Sequence, residues 1–419
     1  MTGIISKYLM GNILYCHIVS LRCKIIVQGL LGTHKECWVR DEGRTDMQII
    51  VGILGLVLIY IILQDAFETI VLPRRVSRRI RLARMFYRST WKVSSLIARK
   101  IHSEERKEYF LSFYGPLSLI LLLVVWAISL IFGFAMLQWA LGSAFYAPEK
   151  VPDFGTDLYM SGTTLFTVGF GDVTPRTSLG RIVAVTEAGM GFGFFALVIG
   201  YLPVTYQSFS RREVGISLLD AHAGSPPTAL EMLRRHSRGQ VMDELVEHLH
   251  EWENWAADLL ESHLSYPVLM YYRSQHDRQS WLAALTVVLD VSALLYVGID
   301  DVPRKPAWFT FAIASHAAVD LAQLFPTPSD ASQISRLSSP EFARLKAMLA
   351  EIGIRLYDEE TAEQRLAELR QKYEPYVIAL ARYLQMPLPG WVIEPEEATA
   401  DDWQTSAWDH QRKPLVRHS

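Results

Sequence analysis

Three stretches of the chain break the ordinary mixture of polar and apolar positions. No Asp, Glu, Lys or Arg occurs between Phe110 and Pro148, and inside that window residues 115–140 read GPLSLILLLVVWAISLIFGFAMLQWA. Those 26 residues, at about 1.5 Å each, are long enough to cross a hydrocarbon core of ~30 Å. A second stretch, Ile182–Ser210, carries the single charge Glu187, and a third, Met47–Gln64, carries none. The pattern predicts three membrane-spanning helices. Trp281–Ile299 is also very apolar, but Asp290 lies in its middle and charges and turn residues crowd both sides. That arrangement favours a buried helix in a bundle over a fourth span.

The remainder reads as helical. Ser225-Pro226-Pro227 is a helix start. Val241, Leu245, Leu249, Trp252, Leu259 and Leu260 recur near helical period through 240–263, and further helices are expected at 307–324, 340–355 and 360–385. The expected layout is an N-terminal segment 1–46, a first span in 47–72, a basic interfacial stretch 73–109 and a two-helix membrane module 110–210. A helical cytoplasmic domain 211–393 and a disordered tail 394–419 complete it. Residues 1–46 show neither a span nor a cleavage site, and read as a short outer segment or as an upstream start-site artefact.

Composition narrows the classes. The chain of 419 residues is 50% apolar with mean hydropathy +0.15, which excludes global disorder and a fibre. Its three cysteines, Cys16, Cys23 and Cys37, exclude a disulfide scaffold. The net charge of −3 hides an asymmetry. Residues 1–113 hold 18 Lys and Arg against 9 Asp and Glu, whereas 205–419 hold 20 against 30. No nucleic-acid partner is expected. Residues 73–109 hold 12 basic residues against 3 acidic, and 141–180 only Lys150 and Arg176 as bases. The positive-inside rule then makes 73–109 and the C-terminus cytoplasmic and 141–180 external.

The external stretch contains Thr167-Val168-Gly169-Phe170-Gly171-Asp172. Glycine at alternate positions admits positive φ, and a backbone alternating in hand turns successive carbonyls the same way. A ring of such carbonyls can replace the water shell of a monovalent cation. TVGFGD resembles the selectivity filter of potassium channels in its Phe variant, and 114–204 is similar to the pore module of simple prokaryotic potassium channels. The resemblance implies an all-α membrane protein with a tetrameric helix–pore loop–helix module, and a passive K⁺ channel rather than an enzyme. No cofactor is implied beyond the permeant K⁺. It places K⁺ on the carbonyls of Thr167, Val168, Gly169 and Phe170, with Gly169 and Gly171 permitting the backbone and Asp172 anchoring the outer mouth. Because the chain has one TxGxG motif, the implied assembly is a homotetramer. A potassium transporter subunit or a membrane-anchored scaffold with a non-conducting pore are the alternatives. The simple architecture implies a plasma membrane, in a bacterium the inner membrane.

This chain departs from the family pattern at three places. Phe170 lacks the hydroxyl with which a Tyr braces the filter, Phe166 stands where a Thr is usual, and the pore-helix aromatic pair is reduced to Tyr159-Met160. Gly191 falls at the family's inner-helix gating hinge, although glycines in spanning helices also serve close packing. Glu187 either lines the cavity or hydrogen-bonds behind the filter. Arg75, Arg78, Arg81 and Arg84 recur every third residue, but too charged a stretch surrounds them for a voltage-sensing span. An interfacial helix on anionic lipid is expected, with Phe86, Tyr87 and Trp91 at the headgroups. Glu247-His248, His250-Glu251 and His316 with Asp320 are pairs too small to make metal sites. No motif in the tail identifies its ligand or protein partner.

Overall fold

The structure is a computed structural model that describes residues 42–72, 81–148, 151–224, 227–237, 242–275, 279–299, 304–325, 335–356 and 359–392. The segment 1–41, the tail 393–419 and Arg75 and Arg78 lie outside the described residues. The chain divides into two units, Met1–Ile50 and Val51–Ser419. Of the first, only helical residues 42–50 are described. The contacts below all lie within the second.

The protein is an all-α membrane protein. Its helices are α1 Glu42–Ile70, α2 Leu82–Ala98, α3 Glu104–Ala140, α4 Phe154–Leu165, α5 Ser178–Ala223, α6 Ala229–His236, α7 Met242–Ser265, α8 Trp281–Gly298, α9 Arg304–Ala322, α10 Ser339–Glu351, α11 Glu359–Arg370 and α12 Glu374–Leu384. A two-residue pair, β1 Phe145–Tyr146 against β2 Thr174–Pro175, is the sole sheet among the described residues. The region expected as one helix at 360–385 is two, with Pro375 opening α12.

The charge-free windows understate the helices. α3 begins at Glu104, capped by Ser103 and with Glu104 and Glu105 in its first turn. α5 continues through the expected domain boundary at 210 and stops only at Gly224, whose φ of 81° ends the helix. Charge ends a membrane-compatible sequence, but it does not end a helix. Its 46 residues span about 69 Å, more than twice the hydrocarbon thickness.

Small residues bring α1 and α3 together. A Cβ on Gly55 would stand 2.8 Å from the Gly133 carbonyl, and one on Gly133 would strike Ile59. Such close approach is how helices associate where lipid removes the hydrophobic drive. Lower on the same helix, buried Asp65 accepts from the Ala83 amide at 2.9 Å and from Trp126 Nε1 at 3.0 Å. It thereby fixes the start of α2.

α2 departs from the expected headgroup arrangement. Trp91 is only 3% exposed and donates through Nε1 to the Tyr383 carbonyl at 3.0 Å. Its ring packs on Tyr114 and Tyr271, and Tyr87 stacks on Tyr271. An indole surrounded by protein rings on a packed core has no route to lipid. The opposite face, Met85, Val93, Leu96 and Ile97, is the exposed apolar one. α2 thus sits between the membrane helices and the C-terminal bundle.

α8 is the centre of that bundle. Every residue except Tyr296 is buried, so although four helices among the described residues are long and apolar enough to cross a membrane, this one offers lipid no face. Asp290 is answered inside the bundle by Arg336 at 3.0 and 2.8 Å and by the Tyr373 hydroxyl at 2.6 Å. The distal part of α5 is locked in by Arg212. This fully buried guanidinium donates to Glu213 at 2.8 Å, to the Leu269 carbonyl at 3.0 Å and to the Tyr272 carbonyl at 3.2 Å. Burial, then the Arg212 charge, pushes the neighbouring His263 well below its ordinary pKa.

Candidate functional site

The site begins with α4. Asp153 caps it, accepting from the Thr156 amide at 2.9 Å while Thr156 Oγ1 accepts from the Asp153 amide at 3.3 Å. This reciprocal box fixes where the helix starts. Ser143 Oγ donates to buried Asp157 at 2.7 Å, tying the helix to the loop after α3.

At its other end α4 runs into the TVGFGD segment. Thr167 donates to the Thr164 carbonyl at 3.0 Å, and Val168 and Gly169 both donate to the Thr163 carbonyl, at 2.8 and 3.2 Å. These amides satisfy carbonyls that a helix end leaves open. The φ angles at Thr167, Gly169 and Gly171 are 55°, 57° and 81°. Positive φ therefore recurs at every second position. For Thr167 this region costs about 1–2 kcal/mol, and the amide bonds back to α4 hold it there. Glycine removes the cost at the other two.

Asp172 follows, and Tyr159 Oη donates to its Oδ2 at 2.9 Å. Tyr159 of α4 therefore braces the segment whose Phe170 has no hydroxyl. Thr167 to Asp172 are all exposed in the single chain, Phe170 at 72%. Leu179, Ile182, Val185, Phe192 and Ile199 extend the exposed apolar surface along one face of α5.

The opposite face of α5 packs on α4. Glu187 is fully buried there and accepts from the Ser161 hydroxyl, while its Oε2 has no partner among the described residues. It thus lies on the protein side of α4. Gly191 is on the same face, and a Cβ there would overlap the Leu165 carbonyl, where α4 ends. Cβ atoms on Gly189 and Gly193 would meet nothing within 4 Å. α5 is unbroken at Gly191, where its backbone packs directly against the Leu165 carbonyl of α4.

Of the arginine series, Arg84 is exposed. Arg81 is turned to protein, pairing with Glu68 at 3.6 Å and reaching the Glu68 carbonyl at 3.4 Å. Of the expected histidine pairs, His316 meets Asp320 at 3.4 Å, whereas His248 turns to Glu251 at 3.0 Å and His250 to the Val246 carbonyl at 3.0 Å. Sequence reading missed the group His222, His236 and His248, drawn from three helices. It also missed Asp65, Ser161 and Arg212 as structural centres. Their partners are too far along the chain to form a motif.

Residues 119–207 match the family model described as "Ion channel". The chain is 27% identical over 208 residues to the uncharacterized membrane protein YdjJ of Bacillus subtilis (strain 168), covering 48% of this chain and 59% of that one. It is 36% identical over 87 residues to Protein LctB of Bacillus caldotenax and, equally, to that of Geobacillus stearothermophilus, covering 18% of this chain and 64% of theirs. The chain thus spans less than two thirds of each of these curated relatives. No solved structure matches. Residues 119–207, with their long helix, short helix, glycine-alternating segment and second long helix, are the part of this all-α membrane protein that is similar to an ion channel.

Proposed function

We propose that this protein is a passive, potassium-selective channel assembled as a homotetramer. The observation that carries the reading is the alternation of positive φ at Thr167, Gly169 and Gly171, with the flanking amides bound back to α4. In that geometry the amides are committed to the pore helix and the carbonyls of Thr167, Val168, Gly169 and Phe170 are left to the permeant ion. Four chains around one axis close the ring, cover the exposed apolar face of α5 and replace the hydration shell of K⁺. The C-terminal end of α4 adds partial negative charge at the ion's path. Asp172, braced by Tyr159, holds the outer mouth, and Glu187 stiffens α4 from behind through Ser161.

The gate, in this reading, is α5. Its Gly191 contact keeps the filter end fixed to α4, and its far end is gripped by the C-terminal bundle through Arg212. The C-terminal bundle is cytoplasmic, the channel resides in the plasma membrane, and the exposed bases of the 73–109 stretch meet anionic lipid. An unidentified ligand or partner acts on the bundle.

Flux from liposomes containing the purified full chain tests the proposal. K⁺ flux should exceed Na⁺ flux, and Gly169→Ala should abolish it, because a Cβ at φ 57° costs about 1–2 kcal/mol in each chain. Equal Na⁺ and K⁺ flux, or wild-type flux in Gly169→Ala, would refute it.

A further inference from the structure

We infer that His222, His236 and His248 form a binding site for a divalent transition metal, with zinc as the ion they fit best. One ring comes from the last turn of α5, one from the end of α6 and one from α7. Their ligand nitrogens all lie within 4.8 Å of one another. Zinc–nitrogen bonds of about 2.0–2.1 Å in a tetrahedron set those nitrogens about 3.4 Å apart. Rotamer adjustments of about an ångström therefore close the site without moving a helix.

The hydrogen bonds select the ligand atom. His236 Nδ1 lies 2.8 Å from the Met232 carbonyl, and His248 Nδ1 lies 3.0 Å from Glu251 Oε2. Both partners are acceptors, so each Nδ1 carries a proton and Nε2 is the nitrogen each ring offers to a metal. A ring nitrogen donating to a carbonyl or carboxylate while the other binds metal is the usual outer-shell arrangement. Glu251, which the sequence pairs with His250, thus orients His248 instead. Three imidazoles without a carboxylate in the set suit zinc, copper or nickel, and do not suit calcium or magnesium, which take oxygen. Three His ligands also leave zinc a fourth position for water or an exogenous ligand.

The location gives the site a consequence. His222 lies 31 residues beyond Gly191 on the same helix, about 46 Å away and outside the hydrocarbon. A metal there ties the end of the pore-lining helix to α6 and α7. Its effect on conduction rests on the channel reading above, but metal binding does not.

The two are separated by measuring them apart. Equilibrium dialysis of the purified full chain against Zn²⁺ should give one zinc per chain at micromolar concentration. His222→Gln and His248→Gln should each weaken binding at least ~10-fold, and Glu251→Gln about 10-fold. All three should retain wild-type elution volume, and Co²⁺ should show a tetrahedral absorption band that His222→Gln loses. Absence of stoichiometric zinc, or wild-type affinity in both histidine variants, would overturn the site. Zinc that binds without altering K⁺ flux would overturn the regulatory role alone. Failure of K⁺ flux in all conditions would count against the channel and leave the dialysis result to judge the site.

Discussion

Gly191→Ala gives a test whose sign separates two roles for one residue. If Gly191 were only a flexible point in a helix, alanine would stabilise the protein by about 1 kcal/mol through helix propensity. The structure predicts the reverse. The added Cβ falls on the carbonyl oxygen, carbonyl carbon and Cα of Leu165, all backbone atoms at the end of α4. A side chain could rotate away, whereas this backbone is held by the Phe166 amide on Gly162 and by the Val168 and Gly169 amides on Thr163. Overpacking costs typically about 1–3 kcal/mol, and a backbone collision belongs at the upper end. Set against the propensity gain, the net loss is about 1–2 kcal/mol per chain, multiplied across the proposed tetramer. Thermal dissociation followed by size-exclusion fluorescence measures it, with wild type, Gly189→Ala and Gly193→Ala compared, the last two because their added Cβ atoms meet nothing within 4 Å of their own chain. Gly191→Ala should dissociate at lower temperature than wild type. An equal or higher dissociation temperature would refute the packing role and return Gly191 to the hinge.

Three further outcomes follow from other contacts. Tyr159→Phe removes the donor to Asp172; bonds to charged groups are worth about 1.5–3 kcal/mol when shielded, and at this exposed pair the loss should be nearer 1. It should appear as faster decay of K⁺ flux at low K⁺, and unchanged decay would mean the brace is idle. Arg212→Met leaves Glu213 buried beside two unanswered carbonyls. Removing one member of such a pair costs about 3–5 kcal/mol, so chemical unfolding should show an early loss of the C-terminal bundle. A wild-type unfolding midpoint would contradict this. Glu187→Gln keeps a group that can accept from Ser161, whereas Glu187→Ala does not. Flux should survive the first and fall in the second, and equal flux in both would remove Glu187 from the support of α4.

The channel-like module was legible because its residues are contiguous. TVGFGD occupies six adjacent positions, and the apolar windows beside it announce their own helices. Helix ends were less legible, since the sequence of α5 turns polar well before its backbone reaches Gly224. Trp91 misled because an aromatic beside arginines suits a headgroup as well as a protein core, and only Tyr114, Tyr271 and Tyr383 decide between them. Asp65 and Trp126 stand 61 residues apart, and the three histidines lie on three helices. Nothing local in the sequence marks either group, because each exists only after the helices have packed.

Asp290 matters before it has a partner. During synthesis α8 leaves the ribosome as a segment apolar enough for the insertion machinery to treat as a span. Arg336, which answers the charge in the finished bundle, lies 46 residues later and is not yet available. At that moment an aspartate at the helix centre adds about 2.5–3.5 kcal/mol against insertion. With Asp290→Leu, protease accessibility should find a fraction of chains with Arg304 onward on the wrong side of the membrane; uniform wild-type accessibility would show that the charge plays no part. The buried carboxylate thus serves as a sorting mark, keeping a core helix out of the bilayer until the bundle can enclose it.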